Sequence, residues 1–392
     1  MKKIALMVSN LCTLGGTERV TANLSKDLSQ YFDCTIITQW CNGEHAYPIA
    51  NNVKVFNLYD KQKRLRYIAF NAVKRIREYV IKNNIEMIIV VGRNNGIIPL
   101  LVRLVTPVKL IYCEHNSIAS YRFYNESLKA KVYRNLLQIM LYHIPNCVVT
   151  LTEKDLAYYQ NTNMSCCTVY NAIDDKLLDD IIEYNVDSKK IITVGRIDYQ
   201  KGYEYLIEVA KRVFEKYPDW TWDVYGDGIA SYKSKMLSMV KKYGLEGKLN
   251  FKGNTDKIYS LYNNYSFYVM TSRYEGLQMV LLEAKSKKLP IVSFDINSGP
   301  SDIVRDEVDD YLVKGFNTEV MFEKISYLIK HSEVRKKFSA NTYGNIDKFR
   351  KENITKQWIK IINNTLKNGG VKRSGDFELD YTYVEMVGVL PC

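Results

Sequence analysis

Short apolar runs alternate with amphipathic stretches along nearly the whole chain, and the alternation starts afresh half-way. Runs of about four to eight apolar residues suit strands buried on both faces, and stretches with a 3.6-residue period suit helices that cover them. In the first series the runs are Ile4–Val8, Cys34–Thr38, Val53–Phe56, Met87–Val91, Lys109–Cys113 and Cys147–Thr150. Helical patterns fall near Thr17–Ser29, Leu65–Ile81, Ser120–Leu141 and Glu153–Tyr159. Strand–helix alternation requires crossover connections, and these build a parallel α/β sheet clothed on both faces.

A second series follows, with strands at Ile191–Val194, Thr221–Tyr225, Leu249–Phe251, Phe267–Met270 and Pro290–Phe294. Its helices are Tyr203–Lys216, Ser231–Tyr243, Val280–Ser286 and Thr318–Lys330. The 392 residues suffice for two such units. The spacing predicts two doubly wound, Rossmann-like α/β domains facing a cleft. They take residues 1–180 and 181–351, with the polar stretch 174–190 as linker. A late amphipathic helix at 352–368, carrying Trp358, Ile359, Ile361 and Ile362, is expected to pack back on the first domain. No role is read for the tail 369–392.

Charge is unevenly spread. The net charge is +12, and residues 1–150 hold about 20 Lys/Arg against about 9 Asp/Glu. The densest run is Lys61-Gln62-Lys63-Arg64-Leu65-Arg66. A basic half-molecule calls for an anionic partner: nucleic acid, acidic phospholipid or a phosphorylated substrate. The same run also reads as a solvated helix face. The opening MKKIALMVSN has the charge of a signal peptide without its length or cleavage site, and suits a first strand better. No stretch reaches the roughly 18–20 apolar residues of a spanning helix. The eight cysteines lack any C-x-x-C pair and read as reduced, mostly buried thiols. A cytoplasmic protein is the expectation.

Ligands in open α/β sheets sit beyond the carboxyl ends of the strands, so the strand-to-helix loops hold the candidates. Gly195-Arg196-Ile197-Asp198-Tyr199-Gln200-Lys201-Gly202 follows a strand and enters a helix. Its two cations suit a diphosphate, Arg196 by its fork and Lys201 as a point charge. Taken alone it also reads as a basic surface loop. Glu275-Gly276-Leu277-Gln278-Met279 leads into a helix that carries Glu283 in an apolar run. The free amides at a helix start suit an anion, and carboxylates accept from paired sugar hydroxyls. A capping Glu with an exposed Glu is the plainer alternative. Gly15-Gly16 precedes the first helix, where backbone can come close to a ligand, or where a plain turn would do. It is neither a dinucleotide fingerprint nor a Walker loop. His115, in Glu114-His115-Asn116, is one of only four histidines, and a lone histidine is more often structural.

Together these elements resemble the retaining glycosyltransferases of family 4, which have the two-domain GT-B fold; bacterial polysaccharide enzymes are among them. The resemblance covers roughly residues 3–365. It is carried by Gly15-Gly16-Thr17-Glu18-Arg19, Glu114-His115-Asn116, Tyr170-Asn171-Ala172-Ile173-Asp174, Gly195-Arg196 with Lys201-Gly202, Tyr225-Gly226-Asp227-Gly228, and Glu275 seven residues before Glu283. Ala172 and Lys288 depart from it, at positions where the family often has Gly.

The resemblance implies a nucleotide-sugar donor, UDP-linked in the first instance with GDP open. Arg196 and Lys201 would neutralise its diphosphate, with the amides of Gly276, Leu277, Gln278 and Met279. Gly15 and Gly16 would close over the donor. Glu275 would hold the transferred sugar, Glu283 the ribose, and His115 would meet the sugar near the reacting centre. It implies no metal and no cofactor, since the cations stand in for a divalent ion. The acceptor is expected to be a lipid-linked saccharide, reached by docking the basic N-terminal domain on an anionic membrane. Lys61, Lys63, Arg64, Arg66, Lys129, Lys131 and Arg134 would make that contact. Two rivals stay open here: a soluble disaccharide or polymer synthase of this fold, and a non-catalytic membrane- or nucleic-acid-binding protein. No nucleic-acid module is recognisable, so no nucleic-acid partner is expected.

Overall fold

The computed structural model describes residues 1–62, 65–123, 127–160, 162, 165–179 and 183–368. Lys63, Arg64, Asp180 and the tail 369–392 lie outside the described residues.

The chain forms two Rossmann-like domains. The first has strands β1 (Lys3–Val8), β2 (Asp33–Thr38), β3 (Lys54–Asn57), β4 (Met87–Val91), β5 (Lys109–Cys113), β6 (Cys147–Thr150) and β7 (Cys166–Thr168). They lie in the order β3-β2-β1-β4-β5-β6-β7, all parallel. Its helices are α1 (Gly16–Leu28), α2 (Leu65–Asn83), α3 (Ile98–Leu104), α4 (Leu128–Leu141) and α5 (Glu153–Gln160). Alternate residues of the strands feed two cores. Ile4, Leu6, Met87 and Ile89 pack on one face, and Ala5, Met7, Ile88 and Val90 on the other, as the two-residue strand period demands.

A short helix α6 (Lys176–Asp179) leads towards the second domain. Its strands are β8 (Lys190–Val194), β9 (Thr221–Tyr225), β10 (Leu249–Gly253), β11 (Phe267–Met270), β12 (Ile291–Asp295) and β13 (Tyr311–Lys314), in the order β10-β9-β8-β11-β12-β13. The helices are α7 (Tyr203–Lys216), α8 (Ala230–Lys242), α9 (Ile258–Leu261), α10 (Met279–Ser286), α11 (Pro300–Ile303), α12 (Thr318–Lys330) and α13 (Ser332–Asn341). In α7, Tyr203, Leu206, Ile207, Ala210, Val213 and Phe214 make a buried stripe at helical spacing. The last helix, α14 (Lys351–Asn368), buries Ile354, Trp358, Ile361 and Ile362 in the first domain's core. Each such side chain contributes roughly 1.5–3 kcal/mol by leaving water.

Three expectations need correction. The helix expected over Ser120–Leu141 is divided: a 3-10 turn covers Ile118–Phe123, and α4 starts afresh at Leu128. Ser127 caps it by accepting from the Ala130 amide at 3.3 Å, and that cap marks a true helix start. Secondly, the thiols are not all free. Cys12 and Cys41 form a disulfide, because the loops after β1 and β2 meet at the carboxyl edge of the sheet. Cys34, Cys113, Cys147, Cys166 and Cys167 are buried thiols outside that bond. Thirdly, β7, β13, α3, α6, α9, α11 and α13 had no sequence counterpart. The acidic pair Asp309-Asp310 serves the core: Lys285 lies 2.9 and 2.8 Å from the two carboxylates, all three side chains fully buried.

Candidate active site

The candidate residues sit in loops at the carboxyl ends of the strands, after β1, β5, β8 and β11. After β8 the chain turns through a 3-10 segment, Tyr199–Lys201, capped by the Asp198 carboxylate on the Lys201 amide at 3.3 Å. Gly202 then takes φ +64°, and a Cβ there would lie 2.2 Å from the Thr271 carbonyl oxygen. Only glycine allows this loop to settle on the end of β11. The result brings two distant stretches together. Lys201 Nζ lies 2.6 Å from Glu275 Oε1, and Gln200 Nε2 donates to Glu275 Oε2 at 3.0 Å. Arg196 is two-thirds exposed, with Nε on Asp198 Oδ2 at 2.7 Å. Arg273 braces the loop from behind, bonded to Glu204 and stacked over Tyr199 at 4.0 Å.

Gly276, Leu277 and Gln278 are buried as they lead into α10, and Met279 opens the helix. The Gln278 side chain turns away from its own helix and donates to the Ser298 carbonyl at 3.1 Å. Gly276 touches the other domain: a Cβ there would lie 2.3 Å from the His115 carbonyl oxygen. Next to it, the Ser117 amide donates to the Glu275 carbonyl at 3.2 Å.

His115 is partly exposed in the loop after β5. The preceding residue, Glu114, is buried and gripped by Arg93 Nε and the Tyr159 hydroxyl, so the loop starts from a fixed point. Desolvation lowers the His115 pKa to about 4, which leaves the imidazole neutral at neutral pH. It can donate and accept hydrogen bonds without bringing charge.

The loop after β1 carries Gly15 and Gly16. Gly16 is exposed with nothing within 4 Å of a Cβ position, while Gly15 abuts Glu18. Buried Glu18 holds the loop, accepting from Asn10 and Thr13 at 3.1 and 3.0 Å. One residue on, Arg19 crosses the cleft. Its Nη1 lies 3.3 Å from Glu283 Oε1, and its Nη2 donates to the Tyr259 hydroxyl at 2.6 Å. Burial raises the Glu283 pKa, opposed by Arg19 and the tyrosine hydroxyls.

Arg196, Lys201, Glu275 and the start of α10 thus share one side of the cleft, with His115 and Gly15-Gly16 opposite and Glu283 bound to Arg19. Sequence reasoning did not single out Gln200, Tyr259 or Arg19 for a role. The partner of Arg19 lies 264 residues away, a pairing without a local signal. A cavity of about 340 Å³ also went unseen, lined by Arg19, His115, Tyr47, Tyr170, Asp174 and Trp358 among others. It lies on the first domain's side, apart from Arg196, Lys201 and Glu275.

The same architecture occurs in known proteins. Residues 14–177 match the model of Glycosyltransferase Family 4, and residues 174–345 that of Glycosyl transferases group 1. The amylovoran biosynthesis glycosyltransferase AmsD of Erwinia amylovora is 30% identical over 376 residues, covering 93% of this chain and all of AmsD. The chain is a family 4 glycosyltransferase. A second relative of this glycosyltransferase, 24% identical over 374 residues, covers 92% of the chain and 98% of its own length. It is a Campylobacter jejuni N-acetylgalactosaminyltransferase named for an undecaprenol-diphosphate-linked saccharide. The crystal structure of Anabaena HepE with UDP and glucose superposes with a TM-score of 0.75 at 15% identity, covering 93% of this chain and 100% of HepE. At that identity the likeness is one of fold: the glycosyltransferase has the GT-B architecture.

Proposed function

We propose that this glycosyltransferase moves a hexose or N-acetylhexosamine from a UDP-sugar to a lipid-linked saccharide, with retention, during assembly of a bacterial cell-surface polysaccharide. The observation that carries the reading is the Lys201–Glu275 pair at the start of α10, directly across the cleft from His115. An ammonium has three protons, so Lys201 keeps donors for a diphosphate while one holds Glu275. Arg196 and the amides of Gly276 to Met279 add positive potential at the same place. As the bond from the anomeric carbon to the phosphate oxygen breaks, charge grows on that oxygen, and fixed donors there favour the transition state over the ground state. The acceptor hydroxyl attacks the same face, its oxygen bonds to the anomeric carbon, and its proton passes to the departing phosphate oxygen. Glu275 and the neutral imidazole of His115 bind sugar hydroxyls. Glu283 takes the ribose hydroxyls in exchange for Arg19. No step calls on a metal, because Arg196 and Lys201 supply the cationic charge.

The acceptor fits the cavity beside His115, whose aromatic walls, Tyr47, Tyr170 and Trp358, suit the apolar faces of pyranose rings. Its lipid carrier is supported by the Campylobacter relative's name and by α4. Leu128, Val132, Leu136 and Ile139 are 47–78% exposed along one face of that helix, among Lys129, Lys131 and Arg134. Phe70 and Ile81 of α2, on the same side of the sheet, are exposed too. Such a face suits an anionic membrane surface. No described helix is long and apolar enough to cross a membrane. Of the cations expected at the membrane, Lys63 and Arg64 lie outside the described residues, and the Arg66 side chain is not described.

The test is a panel of UDP- and GDP-sugars with an undecaprenol-diphosphate-linked saccharide, the product read by intact mass. Transfer from one UDP-sugar with the anomeric configuration kept, undiminished by EDTA, is expected; inversion or no product from any donor sinks the reading. In co-sedimentation, vesicles rich in phosphatidylglycerol should bind the protein. Replacing Lys129, Lys131 and Arg134 together by Ala should weaken that binding about a hundredfold, at about 1 kcal/mol per cation. Equal binding to pure phosphatidylcholine would remove the electrostatic part.

A further inference from the structure

One buried carboxylate that the reaction scheme leaves unused joins the two sides of the cleft. Asp155, in the first turn of α5, is 2% exposed. It accepts from the Ser117 hydroxyl at 3.0 Å and the Ile118 amide at 3.2 Å, both in the loop of His115. From the other domain it accepts from the Ser298 hydroxyl at 2.5 Å. Thr152, 2.9 Å from both Asp155 and Ser298, completes the cluster. Two of the partners, Ser298 and Ser117, lead straight to the site. The Ser298 carbonyl holds the Gln278 side chain at the start of α10, and Gly299 lies so close that a Cβ would fall 2.1 Å from Gln278 Oε1. The Ser117 amide holds the Glu275 carbonyl. The neighbours of Asp155 grip both ends of the Ser298 loop: the Glu153 amide donates to Asp302 in α11, and Lys154 pairs with Asp295 at the end of β12.

We infer that Asp155 and Ser298 are positioning residues, which set the loop of His115 against the start of α10 and so fix the reacting sugar between the two domains. Neither is among the residues assigned to the donor. Four donors converging on one carboxylate make a rigid node, since a buried charge so satisfied is costly to disturb. Ser298 adds its hydroxyl from the surface of the other domain. Its removal leaves the hydrophobic cores of the two domains intact and loosens only the join.

Ser298→Ala, Ser298→Thr and Asp155→Asn in the full chain test this by two readouts. The first is hydrogen exchange of residues 116–119, which does not depend on activity. Ser298→Ala, made in the second domain, should speed exchange there about fivefold while β4 and β5 stay unchanged. The second readout rests on the transferase reading and follows UDP release from the best donor of the panel. For Ser298→Ala, kcat should fall about tenfold, as expected for a reacting group displaced by part of an ångström. The Kd for UDP alone should stay within about twofold, because the residues proposed to hold UDP remain. Ser298→Thr, which keeps the hydroxyl, should restore both readouts. Unchanged exchange at 116–119 in Ser298→Ala and Asp155→Asn overturns the inference. So does an unchanged kcat in Ser298→Ala, or UDP binding that weakens as much as kcat falls. If the wild type turns over no donor, the transferase reading fails and the exchange result still decides the positioning role.

Discussion

The two domains share a winding and differ in how their polar groups are kept. In the second domain the site's charges satisfy one another within the domain: Lys201 with Glu275, Arg196 with Asp198, Arg273 with Glu204. The first holds a neutral His115, a bare Gly16 and a cavity of about 340 Å³ whose walls carry Tyr47, Tyr170 and Trp358 beside the charged Arg19 and Asp174. The contrast separates two tasks. A small, highly charged ligand is best met by fixed donors of opposite sign, held in place before it arrives. A larger, mostly uncharged saccharide is better met by space, aromatic faces and neutral hydrogen-bonding groups. The bridges Arg19–Glu283 and Lys154–Asp295 join the sides, each a first-domain cation holding a second-domain carboxylate.

The comparison breaks most visibly if charge in the second domain proves dispensable. Lys201→Ala should lower kcat/KM about a thousandfold, the upper range for removing one preorganised donor to a developing anion, and weaken UDP binding. Glu275→Gln should lower kcat by a similar factor and leave the UDP Kd nearly unchanged, because its oxygens are assigned to the sugar. Titration calorimetry with UDP, beside initial rates, separates the two; parallel losses in both variants would dissolve the division of labour.

His115 tests the neutral side. His115→Ala should cost about a hundredfold in kcat, the lower range for a group acting at the reacting centre, with UDP binding intact. Its folded pKa of about 4 lies below the unfolded value near 6.5. The folded state therefore disfavours the proton, and stability falls as pH drops from about 6.5 towards 4. Thermal midpoints of His115→Gln and wild type should diverge over that window in favour of the variant. The rate should show no limb near pH 6.5 from this residue; a limb there that vanishes in His115→Gln would mean that the imidazole works charged.

Glu283 sits between the two regimes. Burial raises its pKa above the usual carboxylate value, so its ionised form burdens the fold at neutral pH. That burden fades as pH falls through the folded pKa and is gone below the unfolded one. Glu283→Gln should raise the thermal midpoint at pH 7, with the gain shrinking in acid. It should also weaken donor binding about tenfold, the low end for losing a charged hydrogen bond to the ribose. A variant less stable at pH 7 than wild type would make the Arg19 bridge a structural clasp.

Much of this frame was legible in sequence because β4, β5, β6 and β11 are short apolar runs ended by polar loops, and α7 has an unbroken helical period. The site loops were legible for the same reason: Arg196, Lys201 and Glu275 lie where strands end. Other features had no local signal. β7 is only three residues, Cys166–Thr168, and takes its place by pairing with β6. The Cys12–Cys41 bond joins loops 29 residues apart in sequence. Arg19–Glu283 and Asp155–Ser298 are made by the closing of one domain on the other, so pattern within either series cannot announce them.

The smallest expected effect concerns the two positions where the family often has Gly. Ala172 lines the cavity and is not among the described residues with positive φ, so nothing in its backbone asks for glycine. Lys288 does sit at φ +58°. It follows α10, where its amide bonds Lys285 O at 2.9 Å and the Leu289 amide bonds Ala284 O at 3.0 Å. That is the helix-ending pattern that favours glycine at its left-handed position. Lys288→Gly should therefore stabilise the protein by about 1 kcal/mol, the lower range for relieving a left-handed non-glycine residue. Donor kinetics should not change, since the substitution falls at the far end of α10 from Glu275 and Gly276. Denaturant unfolding measures the gain. A shift in donor KM without a gain in stability would mean that the end of α10 is coupled to its beginning, and that the second domain's site is less firmly built than its ion pairs imply.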